Sequence, residues 1–136
     1  MLNEDVCYML GALRDANLDI RVGKNYEIKF GQKDQRWLFY LSKLLKKNFG
    51  RDFNVSNNML RITEKRIVLS LLKSSDMVSP QKLWGNTKSV LDLDDNKIIC
   101  YINGFWDAEG GLPKNPTLAK KNIFLLIKKI KKPYLL

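Results

Sequence analysis

The sequence predicts an α+β fold, an αββαββα half built on an antiparallel sheet followed by an incomplete second half. Three observations predict it. Apolar residues recur at helical spacing in several stretches, and two pairs of short alternating segments flank turn residues. The opening pattern Cys7-Tyr8-Met9-Leu10-Gly11 also returns 93 residues on as Cys100-Tyr101-Ile102-Asn103-Gly104, an internal repeat.

Asp5 to Ala16 reads as a largely buried helix, with Val6, Tyr8, Met9, Leu10 and Leu13 interspersed with small Gly11, Ala12 and Ala16. Leu18 to Val22 and Tyr26 to Gln32 alternate apolar and polar residues around Gly23-Lys24-Asn25, and read as a hairpin. Asp34 caps a helix carrying Trp37, Leu38, Leu41, Leu44 and Leu45 on one face, which stops at Gly50. In a second hairpin Phe53 and Val55 face Leu60 and Ile62 across Asn57-Asn58, a pair that tolerates the positive φ of a type I′ turn. Glu64 to Lys73 closes the first half as a helix with Ile67, Val68, Leu71 and Leu72 inward.

Ser74 to Asp95 reads as a connector with an acidic cluster (Asp92, Asp94, Asp95) and one short helix near Gln81 to Trp84. Ile98 to Ala108 repeats the first helix, Gly111 to Pro116 is loop, and Lys120 to Lys132 is a basic amphipathic helix that Pro133 ends. Only 26 residues follow Gly110 in a chain of 136, too few for a second sheet. The expected organisation is a complete half over 1–76, a connector over 77–95 and an incomplete half over 96–136.

Composition bounds the chemistry. No histidine is present, which excludes Ser-His-Asp and Cys-His catalysis, His-ligated zinc and any His general base. The two cysteines, Cys7 and Cys100, are too few for a Cys-only zinc site and fit a reducing, cytoplasmic setting. Together with Trp84 and Trp106 they read as core residues. Apolar runs such as Ile123 to Ile127 are far shorter than the roughly 20 residues a membrane span needs, and the polar start is no secretory signal. Lys plus Arg number 24 against 14 Asp plus Glu, a net charge of +10 that favours a polyanionic partner, most often nucleic acid.

Ile102-Asn103-Gly104-Phe105-Trp106-Asp107-Ala108-Glu109-Gly110 resembles, position by position, the nine-residue signature of the LAGLIDADG homing endonucleases. The αββαββα order, the segment Gln32-Lys33-Asp34-Gln35-Arg36-Trp37 and Gly110-Gly111-Leu112-Pro113-Lys114-Asn115-Pro116 also resemble that family, particularly its archaeal two-motif members. The resemblance implies a site-specific double-stranded DNA endonuclease of intron or intein origin, with phosphodiester hydrolysis dependent on Mg²⁺ or Mn²⁺. It leaves open a catalytically inactive DNA-binding remnant and an RNA-splicing maturase. The missing second sheet implies a homodimer or a complementing partner chain if cleavage is retained.

The motif also has a chemical reason of its own. Two helices packed through small residues, each ending in an acid followed by a turn, bring two carboxylates close enough to share a metal with phosphate oxygens. Glu109 is the expected ligand from the second helix. In the first, matching the small-residue faces sets Leu10 to Leu18 against the motif and puts Asn17 at the acid position. Sliding that alignment to superpose Gly11 on Gly104 puts Ala16 there instead. Asp15 is the only acid at the end of that helix and is the expected first metal ligand, with Asn17 its rival.

By resemblance, Gln32 corresponds to a residue ordering water beside the scissile phosphates and Lys65 to one neutralising transition-state charge. Strand alternation places Arg21, Lys29, Asn54, Ser56, Arg61 and Thr63 on the sheet face away from the helices. The resemblance implies that this face enters the major groove, with Lys24 and Lys33 near the strand ends on phosphate. Residues 111–136 hold seven lysines and no acid, and read as a phosphate-contacting arm.

Overall fold

Side-chain caps and glycine stops set the element boundaries. A computed structural model of the chain describes residues 2–21, 23–78 and 93–108. Helix α1 (Glu4–Leu13) opens where Asn3 accepts from the Val6 amide at 2.8 Å. Strands β1 (Asn17–Arg21) and β2 (Asn25–Gly31) follow, then α2 (Gln35–Phe49), capped by Asp34 and ended by Gly50 at φ 74°. Short strands β3 (Val55–Ser56) and β4 (Met59–Ile62) precede α3 (Lys65–Val78), and α4 (Asp95–Ala108) is the repeat of α1. Asp94 begins α4 by accepting from the Lys97 amide at 3.0 Å.

The four strands form one antiparallel sheet in the order β1-β2-β4-β3. Asn57 and Asn58 both hold positive φ, 53° and 57°, as a type I′ hairpin turn requires. Ile28, Phe30, Leu60 and Ile62 are buried on one sheet face beneath Trp37, Leu38, Leu41 and Leu45 of α2 and Ile67, Val68 and Leu71 of α3. Every residue of α1 from Val6 to Leu13 is buried, because α2, α3 and α4 all pack on it. The architecture is α+β, and no helix among the described residues is long and apolar enough to cross a membrane.

Several boundaries differ from the sequence expectation. Helix α1 stops at Leu13, not Ala16, and Arg14, Asp15 and Ala16 close it with i→i+3 bonds to Gly11, Ala12 and Leu13. The tighter turn aims the chain into β1, which must start at Asn17 to pair with Lys29. Phe53 lies before β3 rather than in it, and Ser42 holds its carbonyl at 3.0 Å. Helix α3 runs on to Val78, past the expected end at Lys73 and past the boundary drawn at 76. Trp106 is half-buried rather than core, and so is Cys100, whereas Cys7 is sealed off. The helix expected near 81–84, Trp84, the basic helix over 120–132 and Glu109 lie outside the described residues.

Candidate nucleic-acid interface and the paired helix ends

Two glycines set how α1 and α4 cross. A Cβ on Gly11 would fall 1.9 Å from the Tyr101 carbonyl oxygen, and one on Gly104 would fall 1.9 Å from that of Tyr8. The next neighbours match as well, Phe105 N for Gly11 and Ala12 N for Gly104. Each contact maps onto the other by the 93-residue offset, so the crossing has a local two-fold. The alignment that equates Ala12 with Gly104 is thereby corrected: Gly11 is the equivalent of Gly104, since only glycine lets the two backbones touch.

The helices run in the same direction. Glu4 and Asp5 raise the pKa of Cys100, and Asp94, the residue that begins α4, raises that of Cys7, so the N-terminal ends lie together. Their C-terminal ends, Asp15 and Ala16 on one side and Ala108 on the other, are therefore also neighbours. In this register Asp15 stands opposite Ala108, and Ala16 occupies the position equivalent to 109.

Side-chain hydrogen bonds follow the same two-fold. Tyr8 donates to Asp107 at 2.5 Å while accepting from Trp37 Nε1 at 2.9 Å. At the equivalent place Tyr101 accepts from Arg14 at 2.9 Å. Arg14 thus stands where the second helix has Asp107, and it is only 5% exposed. Burial, reinforced by the Asp107 carboxylate, pushes the Tyr8 hydroxyl well above its ordinary pKa. The one sequence signal for this network is the recurrence of Tyr at offset 93, which by itself names neither Arg14 nor Asp107 as a partner.

Gln32 reaches the same region. Its amide donates to the carbonyls of Asp107 at 2.7 Å and Ala108 at 3.3 Å, two of the groups a helix C-terminus leaves without intrahelical partners. The end of β2 is thereby tied to the end of α4. Asp15 lies in the turn after α1, exposed on its outer side, and desolvation by the atoms packed around it raises its carboxyl above its ordinary value. Lys65 is placed elsewhere, exposed at the start of α3 with its ammonium 5.0 Å from the centre of the Tyr26 ring.

The outer face of the sheet carries Arg21, Lys29, Asn54, Ser56, Arg61 and Thr63 as alternation requires, all exposed except the half-buried Lys29. Pairing aligns Asn17, Lys29 and Arg61 in one row across β1, β2 and β4. The charges are not equally available. Arg21 is engaged by Asp19 at 3.3 Å and Lys29 by Glu27 at 3.2 Å, which damps the field over the β1–β2 hairpin. Arg61 makes no ion pair among the described residues, its Nε lying 3.3 Å from the Met59 sulfur. Arg61, Asn54, Ser56 and Thr63 line, with Arg51 and Met59, a depression of about 410 Å³ at the β3–β4 edge. Lys24 projects from the first hairpin turn and Lys33 from the β2–α2 connection, both exposed.

Among the described residues no three His, Cys, Asp or Glu side chains cluster in a way that could hold a metal ion. At the α1 end the donor set is the single carboxylate of Asp15, followed by the methyl group of Ala16 and the neutral amide of Asn17. Burial pushes the Cys7 thiol up to about 11, and the Cys100 thiol also rises. Neither is a thiolate at neutral pH. Comparison of the chain with protein-family models, with curated proteins and with solved structures found no match.

Proposed function

We propose that this protein is a LAGLIDADG-type homing endonuclease that recognises duplex DNA through the outer face of β1–β4 and carries its hydrolytic groups at the joined ends of α1 and α4. The observation that supports this most is the reciprocal Gly11–Gly104 crossing, because it gathers both helix ends on one side of a two-fold. Duplex DNA has two-fold symmetry of its own between antiparallel strands, so a two-fold protein element suits it. The net charge of +10 supplies the attraction to phosphate.

Arg61 with Asn54, Ser56 and Thr63 offers donors to base edges, and Lys24 and Lys33 offer cations to the flanking phosphates. Mg²⁺ or Mn²⁺, when bound by acids and phosphate oxygens, activates water and balances charge at phosphorus. The acids this chain offers are Glu109 by sequence and, one position out of register, Asp15. Gln32 positions the end of α4 rather than the water itself, since its amide is committed to two carbonyls. Lys65 offers a positive charge at the sheet's border.

The test is selection of a randomised duplex pool on the full chain, followed by affinity measurement over a salt series. The expected result is enrichment of a defined duplex, with log affinity falling linearly as log salt rises. Scission of the enriched duplex with Mg²⁺, lost in Glu109→Gln, is the second expected result. Binding without scission identifies an inactive DNA-binding descendant. Preferential capture of structured RNA over the selected duplex replaces the reading with a splicing role.

A further inference from the structure

We propose that the outer face of α2 binds single-stranded nucleic acid, with bases stacked on Phe39 and Tyr40 and phosphates held by the cations that flank them. This surface is separate from the sheet and stands whether or not the sheet binds duplex.

Helix α2 buries Trp37, Leu38, Leu41, Leu44 and Leu45. The residues left outside recur at the same three- and four-residue spacing and form one stripe of Arg36, Phe39, Tyr40, Lys43, Lys46 and Lys47. Phe39 is 53% exposed and Tyr40 45%, two aromatic rings standing in solvent. Tyr8 meets the Tyr40 ring at 5.4 Å in an edge-on contact that braces it against α1. Each ring has a cation one turn away along the helix: Arg36 for Tyr40, and Lys43 for both. No acid lies in α2. Arg36, Lys46 and Lys47 pair with Asp34, Asp52 and Asp5, but all three cations are exposed, and such pairs are weak enough to exchange for phosphate. Lys43, at the centre of the stripe, is in no ion pair among the described residues.

Alternating rings and cations fit one partner best. In a duplex the base faces are covered by their neighbours, and only phosphates and groove edges are on offer. A single strand presents unstacked base faces together with its phosphates. Protein interface cores are depleted in lysine, whereas lysine here is interleaved with the rings. A membrane-surface helix turns its broad apolar face outward, and that face of α2 lies in the core. The stripe is about 17 Å long at about 1.5 Å per residue, room for a strand of a few nucleotides. Because α2 covers the buried face of the sheet, this stripe and the outer sheet face look to opposite sides of the molecule.

Fluorescence anisotropy of labelled oligouridine and oligothymidine, titrated with the full chain at physiological salt, is the test. Both strands are expected to bind, and the ratio of their affinities tells whether RNA or DNA is preferred. Phe39→Ala and Phe39→Leu are expected to weaken binding about tenfold or more, because leucine keeps the apolar surface but has no ring to stack on, while Phe39→Trp retains it. Lys43→Glu should weaken binding far more than Lys73→Glu, the same charge change on α3. Ultraviolet cross-linking of iodouridine-bearing strands should map to Phe39 or Tyr40. Absence of strand binding overturns the proposal, as does equal affinity in Phe39→Leu and the parent. Displacement of the strand by a duplex bound at the sheet overturns it too, by showing a shared site. Phe39-dependent capture of phosphatidylserine vesicles without strand binding assigns the stripe to a membrane surface instead.

Discussion

Tyr8 of α1 and Asp107 of α4 share a hydrogen bond although 99 residues separate them in the chain. The same hydroxyl accepts from the Trp37 indole, so one oxygen joins α1, α2 and α4. Tyr8→Phe removes that oxygen and leaves two polar groups in a largely buried place. The expected loss is about 1–3 kcal/mol in urea unfolding. Asp107→Asn keeps an acceptor for Tyr8 and is expected to cost less. A Tyr8→Phe variant as stable as the parent would show that the network carries no net energy.

Gly11→Ala and Gly104→Ala provide a test by sign. In an exposed helix interior, alanine in place of glycine is worth about 1 kcal/mol of added stability. Here the new methyl would meet a backbone carbonyl at 1.9 Å and force the helices apart. Destabilisation by about 3 kcal/mol or more is expected, read as a fall in the denaturation midpoint. The outward-facing Asn103, exposed on the same helix, should accept alanine with little change.

Cys7 makes stability pH-dependent at the alkaline end. Its thiol has no exposed surface, and burial raises its pKa from 9.0 to about 11. The folded chain therefore holds this proton more tightly than the unfolded one. The associated stability is fully present below pH 9 and is lost as pH rises through about 11. Unfolding free energy measured from pH 8 to 11 should fall, and Cys7→Ala should flatten that slope. Iodoacetamide should label Cys100, which is half-buried, well before Cys7.

Gln32→Ala frees the Asp107 and Ala108 carbonyls from their side-chain donor. A cost of about 1 kcal/mol is expected, confined to the end of α4. Hydrogen exchange of the last α4 amides should quicken while the α2 amides hold their protection. A Gln32→Glu variant should behave worse, since a carboxylate there faces acceptors only.

The second hairpin checks the turn chemistry. Asn58→Ala places a methyl-bearing residue at φ 57° and is expected to cost about 1 kcal/mol, whereas Asn58→Gly should be neutral or slightly stabilising. Thermal melts of the two variants, compared with the parent, separate these outcomes.

The sequence by itself determined the elements and their faces. Apolar spacing marked α1, α2, α3 and α4, while Asp34, Gly50 and the Asn57-Asn58 pair marked ends and turns, because these signals are local and arise from backbone sterics and side-chain caps. Strand alternation likewise assigned Ile28, Phe30, Leu60 and Ile62 to the core and Arg61 and Ser56 to the outer face. Only the tertiary structure decided the register between α1 and α4. Small residues at 11, 12 and 16 permit more than one alignment along a single helix, and the choice falls to whichever pair of backbones can touch. It also joined Gln32 to the end of α4 and Tyr8 to Asp107, partners 75 and 99 residues apart. Interhelical contacts and such cross-links depend on distances between segments remote in the chain, and those distances exist only once the core has formed.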